Sequence, residues 1–331
     1  MEEEKKLYPF AFVPVSDTPE ESFALADLGY PDSMVRNGWL STNTLSEVMD
    51  TYMDRVVGEG VFASFGRQFP VLIKMLKPSE RTPLTVHPDD EIASQRFDFL
   101  GKAKLWHIVK AAPGAKIYLG FNRDVSSQEF YDAVKDGSVE SLLNAVVPSV
   151  GQTYHIAPGT VHAAGPGVEI AEIAESSPLD FRIFNWGRPE GEVDPFDAEL
   201  TLEAAFDFID YRALAVEPLV PERKSGVDRL FTGPEFTVSA IQLKDTLRID
   251  NAGGDFFSAY LCVRGEAAFT DGSPSQEGKA GVSAGEAVLV PAELDEYYIA
   301  PLAGDTLLLE VTVEREVPVE SVSVEEEPLY N

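Results

Sequence analysis

A chain of 331 residues that is 44% hydrophobic and 10% aromatic is long enough for two domains with their own cores, and too apolar to be disordered. Its formal net charge of −30 argues against nucleic acid or an anionic membrane as partner, because both would be repelled. An anionic small molecule would need a local basic pocket. The one cysteine, Cys262, excludes an intrachain disulfide and points to a reducing, cytoplasmic setting; within Tyr260-Leu261-Cys262-Val263 it reads as a core thiol. The opening Met1–Lys6 lacks signal-peptide character, and no apolar run approaches membrane-spanning length.

In chain order, Leu45, Val48, Met49, Tyr52 and Met53 recur at helical spacing, which predicts a helix near 43–55 with Asn43 as its N-cap. Leu84-Thr85-Val86 and Lys116–Gly120 read as strands. Ser126-Ser127-Gln128-Glu129 has the pattern of a capping box, and Phe130 and Val134 share the face that follows. A second short helix is expected from Val139 to Pro148, so helical insertion covers about 126–147. Val168–Ile173 is strand-like, Leu202–Tyr211 helical, and the Pro/Glu-rich Glu217–Arg223 reads as a connection. Strand signals then resume to about Val313, among them Thr306–Val311, and an acidic tail follows. Many short strands cut by Gly, Pro and Asp predict a mainly β sandwich or barrel. Gly151–Pro158 and Gly285–Pro291 each place a glycine turn before a β-rich run ending in proline, a faint sign of duplication.

Four histidines carry the candidate chemistry: His87, His107, His155 and His162. His87 and His162 each follow a strand-like run beside Pro or Gly turns, where barrel mouths gather ligands. Each alone reads more readily as a structural or surface residue than as a ligand; the pair points to a site only if the fold brings the two together.

The stretch from Gln68 to Arg188 resembles the catalytic barrel of class I mannose-6-phosphate isomerases. Phe69–Leu76 resembles the family strand that carries an active-site lysine, and Leu84–Asp90 its Gln-x-His-Pro-Asp-Asp segment. Gly101–His107 resembles Gly-Lys-Thr-Glu-x-Trp-Tyr. Gly159-Thr160-Val161-His162-Ala163 matches the second histidine segment, and Glu172–Ser177 through Phe181–Arg188 the closing segments. The resemblance implies two cupin-type β-barrels (double-stranded β-helix, or jelly roll) with a few inserted helices. The expected division is a catalytic-type barrel over 1–215, a second smaller barrel over 216–314 and an acidic tail over 315–331.

The family binds one zinc per chain through Gln, His, Glu and His. The resemblance carries the two histidines onto His87 and His162, but it puts Thr85 in the Gln position and Lys104 in the Glu position. Glu172 is a further carboxylate candidate for the metal; His107, three residues after Lys104 on a strand, should face the opposite side. Lys74 and Arg182 are implied as catalytic residues in a sugar-phosphate pocket, with Lys104, Thr85 and Arg188 toward the substrate. The implied reaction interconverts mannose 6-phosphate and fructose 6-phosphate through an enediol. A sugar-phosphate-binding homologue without isomerase activity is the alternative, favoured by Thr85 and Lys104. No histidine follows His162, so the second barrel cannot hold a histidine-ligated metal. The implied partner is a small sugar phosphate, in a monomer or homodimer.

Overall fold

Alternation between buried faces dictates how the strands stack. The computed structural model describes residues 5–188, 200–224, 226–273 and 278–316. In the strand Val71–Leu76, Val71 and Ile73 point one way into a large apolar cluster, whereas Leu72, Lys74 and Leu76 point the other way. Lys104–Ala111 and Val168–Glu175 repeat this pattern: Leu105, Ala171 and Ile173 join the same large cluster, and Trp106, Ile108 and Ile170 line the opposite face.

These three strands are the centre of a six-stranded antiparallel sheet. Across it run Thr153–Ile156, Lys104–Ala111, Val168–Glu175, Val71–Leu76, Glu21–Leu25 and Val15–Thr18. A five-stranded sheet faces it, in the order Phe181–Phe184, Leu84–Val86, His162–Ala164, Ile117–Phe121 and Leu143–Val146. Ile117, Leu119 and Ala164 close a shared core with Trp106, Ile108 and Ile170. A second pair of antiparallel sheets, of eight and four strands, encloses Tyr260, Cys262 and Leu308 against Phe269, Val282 and Ile299. The architecture is the expected mainly β, cupin-type one. Cys262 is buried and free.

The two halves are stitched together. Phe10–Val13 pairs antiparallel with Ala287–Val290, so an N-terminal strand sits in the eight-stranded sheet and hydrogen bonding crosses the line between residues 215 and 216. The largest apolar cluster spans both halves, with Val71, Ile73 and Ile173 against Phe257, Leu261 and Leu309.

Helices depart from expectation in detail. The first runs Leu45–Tyr52, and its cap is Thr44 rather than Asn43. The Thr44 side chain accepts from Glu47 N–H and the Glu47 carboxylate accepts from Thr44 N–H, a reciprocal pair that Asn43 is one residue too early to make. Ser126 does cap Ser127–Asp136, but the Glu129 carboxylate turns to Arg123 instead of reaching back. The helix expected from Val139 is one 3₁₀ turn, Val139–Leu142, followed by a strand, Leu143–Val146, that pairs with Ile117–Phe121. Leu202–Tyr211 is helical only over Leu202–Ala205. Asp54–Val57, Glu59–Phe65 and Asp90–Phe97 are helices that periodicity missed. Residues 317–331, most of the expected acidic tail, lie outside the described residues. No helix among the described residues is long and apolar enough to cross a membrane.

Candidate functional site

Strand register builds the site as two facing rows. In the six-stranded sheet Glu172 pairs with Lys74 on one side and Trp106 on the other, so the three lie in one row on the inner face. Lys104 is two residues from Trp106 and shares that face. In the five-stranded sheet Thr85 pairs with His162 on one side and Arg182 on the other, which makes the second row. Between the rows lies a cavity of about 450 Å³, lined by all seven of these residues together with Lys102 and Asp180. That volume suits a small-molecule ligand.

Hydrogen bonds orient the floor. The Lys104 ammonium donates to Asp180 Oδ1 at 2.6 Å, lies 3.3 Å from His162 Nε2 and is 3.8 Å from Glu172 Oε1. His162 Nδ1 lies 2.9 Å from the Thr160 carbonyl, which can only accept; Nδ1 therefore carries the proton and Nε2 presents its lone pair to Lys104 and to the Thr85 hydroxyl, 3.1 Å away. Lys102 donates to Asp180 at 2.8 Å and to the Ser177 carbonyl at 2.6 Å. Lys74 pairs with Glu21 at 2.6 Å and Glu172 at 3.3 Å, and the other Glu172 oxygen accepts from the Trp106 indole N–H at 2.5 Å.

This packing of charge sets the protonation states. Burial works against both charges in the Lys74–Glu172 pair, yet mutual attraction prevails. Glu172 is drawn down to about 2 by Lys104 and Lys74, and Lys74 is held above its ordinary value by Glu172, Glu21 and Asp180. Asp180 is likewise buried against its charge but held well below the usual carboxylate range by Lys102, Lys104 and Lys74. Burial, then Lys104, depresses His162 to about 4, and the same two causes hold His87 well below the ordinary imidazole value. Both imidazoles are neutral at pH 7.

The expected site residues divide into two groups. Lys74, Thr85, Lys104, His162, Glu172 and Arg182 converge on the cavity. His87 lies behind it, fully buried, its ring centroid 5.1 Å from that of His162 and neither ring nitrogen hydrogen-bonded. Arg188 is held elsewhere, by Glu80 at 2.7 Å and by Asn185. His107 faces the opposite side of its strand and meets Thr153 at 2.9 Å, as its spacing predicts, and His155 stacks on Phe231. Sequence reasoning missed Asp180 and Lys102. Lys102 sits in the Gly-Lys of a matching segment and was legible there; Asp180, in Leu179-Asp180-Phe181, has no local signal.

His87, His162 and Asp180 place one ligand atom each within 4.8 Å of one another, a grouping able to hold a metal ion. The carboxylate of that group is Asp180, while Glu172 is turned between Lys74 and Lys104. A zinc ion bound as the resemblance implies does not fit the side chains as they stand. Two of its four ligand positions hold a hydroxyl and an ammonium, and the lone pairs of His162 and Asp180 that face the group are engaged by that ammonium. A divalent ion 4 Å from one ammonium would meet roughly 8 kcal/mol of repulsion at an effective dielectric of 20.

Comparison with known proteins bears on this site. The chain is 28% identical over 219 residues to mannose-6-phosphate isomerase ManA of Bacillus subtilis, 66% of this chain and 65% of that protein. It is 28% identical over 177 residues to the mannose-6-phosphate isomerase of Streptococcus mutans, 54% of each. The solved mannose 6-phosphate isomerase of Bacillus subtilis superimposes with a TM-score of 0.76 at 21% identity, over 93% of this chain and all of that one. In sequence and in fold the chain is similar to mannose-6-phosphate isomerases. A phosphomannose isomerase mutant from Salmonella typhimurium extends the likeness of fold within these isomerases, with a TM-score of 0.71 at 14% identity over 93% of this chain and all of that one. The sequence matches span less than two thirds of the curated isomerases' own lengths. No family model matches the chain.

Proposed function

We propose that the chain is an aldose–ketose isomerase of a phosphorylated hexose, with mannose 6-phosphate and fructose 6-phosphate as the pair. The observation that carries this reading is the charge of the cavity. In a chain of net charge −30 this cavity is locally balanced: Lys74, Lys102, Lys104 and Arg182 stand against Glu20, Glu21, Glu172 and Asp180. Such a pocket lacks the net repulsion of the rest of the surface and offers ammonium and guanidinium N–H groups to a phosphate. Arg182 and Lys74 would bind phosphate and stabilise negative charge on the reacting oxygens.

The chemistry needs one base and one electrophile. The base takes the proton from C2 of the aldose, and the carbonyl π pair moves to O1. A proton passes from O2 to O1, and the base returns its proton to C1. The His162 Nε2 lone pair is engaged by Lys104 and the Thr85 hydroxyl, so the acceptor we assign is a cavity carboxylate at the rim, Glu21. An arriving phosphate would raise its basicity. A cytoplasmic setting agrees with the single buried thiol.

The test is incubation with fructose 6-phosphate in D₂O. Mannose 6-phosphate appearing with deuterium on carbon supports the reading, because the enediol exchanges its carbon-bound proton with solvent. Saturable binding with neither product nor exchange would replace it by the sugar-phosphate-binding reading, which Thr85 and Lys104 favour.

A further inference from the structure

We infer that the ammonium of Lys104 occupies the position a metal ion would take between His162 and Asp180, so that this site works with a built-in monovalent cation. The inference rests on the isomerase reading for its mechanism, but its test does not need turnover.

Three observations on separate elements converge. Lys104 reaches from the six-stranded sheet to within 3.3 Å of His162 Nε2 on the facing sheet and 2.6 Å of Asp180 Oδ1. The proton on His162 Nδ1 is fixed by the Thr160 carbonyl, so the atom facing Lys104 is the donor lone pair, the atom a metal would use. Lys104 is buried at the base of the open cavity. Its ammonium has three N–H bonds, and Asp180 and His162 account for two of them. The third has Glu172 Oε1 at 3.8 Å, beyond hydrogen-bond distance, and is the one a ligand oxygen entering the cavity would take. In the reaction proposed above that is O1 of the sugar, where the enediolate charge develops; an N–H there supplies by hydrogen bonding what a Lewis acid supplies by coordination.

Lys102 and Asp180 complete the device. Asp180 takes one hydrogen bond from each lysine, which fixes Lys104 in place and keeps two buried ammoniums from facing each other unscreened.

The test is zinc titration calorimetry on the full chain, wild type against Lys104→Glu, with circular dichroism to check folding. A second arm measures fructose 6-phosphate binding to the wild type with and without EDTA. We expect the wild type to retain no stoichiometric zinc after dialysis and to bind fructose 6-phosphate equally in EDTA. Lys104→Glu, which frees His162 and adds a carboxylate, should bind zinc at least ~10-fold tighter than wild type. Stoichiometric zinc in the dialysed wild type, equal zinc affinity in both proteins, or sugar-phosphate binding abolished by EDTA would each overturn the inference. If fructose 6-phosphate neither binds nor reacts, the functional reading fails and the zinc titration still decides this one. If Lys104→Glu does not fold, the metal content of the wild type decides it.

Discussion

At the scale of single residues, the site is a study in which partner each charge depends on. Asp180 is the hinge of the arrangement, because its two oxygens each take one buried ammonium, from Lys102 and Lys104. Asp180→Asn keeps the shape and removes the charge, leaving both lysines short of a counterion. Breaking a buried pair from one side should cost about 3 kcal/mol of stability at pH 7, whereas removing Lys104 as well should cost less, since Lys102 alone is then short of its counterion rather than both lysines. Urea unfolding of Asp180→Asn, Lys104→Met and the double variant checks this: we expect the double variant to be more stable than Asp180→Asn alone. Additive losses would mean that the two groups are not coupled. The same residues mark what the sequence disclosed. Lys74, Thr85, Lys104 and Arg182 were named through the segments that resemble the isomerase family, His162 and Glu172 by their chemistry as well, and all six meet in one cavity. Asp180 was not, because nothing near it in sequence distinguishes it from any other loop carboxylate; only the pairing of Phe181–Phe184 with Leu84–Val86 brings it under the lysines.

At the scale of elements, strands with a face on the core were legible, Leu143–Val146 excepted, and short helices were not, for one physical reason. A strand with one face on a core writes its alternation into a few residues, as Val71–Leu76 does. The helices Asp54–Val57 and Glu59–Phe65 are too short for a 3.6-residue period to repeat, and their support comes from afar. The N-cap of Glu59–Phe65 is Gly58, which offers no side chain. Asp255 of the other half takes its place and accepts from Glu59 N–H at 2.9 Å and Gly60 N–H at 3.1 Å. Gly60 then lies so close to the C-terminal strands' exit that an added Cβ would stand 2.0 Å from the Arg315 carbonyl oxygen. Because backbone must move to relieve that contact, Gly60→Ala should lose about 2 kcal/mol or more, despite the better helix propensity of alanine. Thermal melting against a Gly137→Ala control, where strain is expected without any nearby atom, separates lost docking from backbone strain. An unchanged melting temperature in Gly60→Ala would show that the helix is not tightly seated.

At the scale of the whole molecule, two pH effects oppose each other, and magnitudes decide between them. With a net charge of −30 and a pI near 4.4, acidification below pH 7 relieves self-repulsion and by itself would stabilise the fold. The buried groups act in the opposite direction. Burial holds His162 and His107 at about 4, below the ordinary 6.5, so the folded state resists the protons that the unfolded chain accepts. Their stabilisation is complete above pH 6.5 and drains away as pH falls toward 4, roughly 2 kcal/mol each by pH 5. His87 loses in the same window and in the same sense. Glu175 runs the other way. Burial raises it to about 7, so its contribution is complete below pH 4.5 and is lost as pH rises through 7; on going from pH 7 to 5 it returns about 2 kcal/mol. Glu172 and Asp180, both depressed, begin to cost stability only below about pH 5. The histidines together therefore exceed Glu175, and the net change from pH 7 to 5 is a loss of at least about 2 kcal/mol from these groups. Surface carboxylates titrate mostly below that window, so little repulsion is relieved within it. We expect urea midpoints to fall steadily from pH 7 to 5 while the net charge is still falling toward zero. A midpoint that rises over this range would show that surface repulsion, rather than the buried imidazoles, governs the acid stability of this protein.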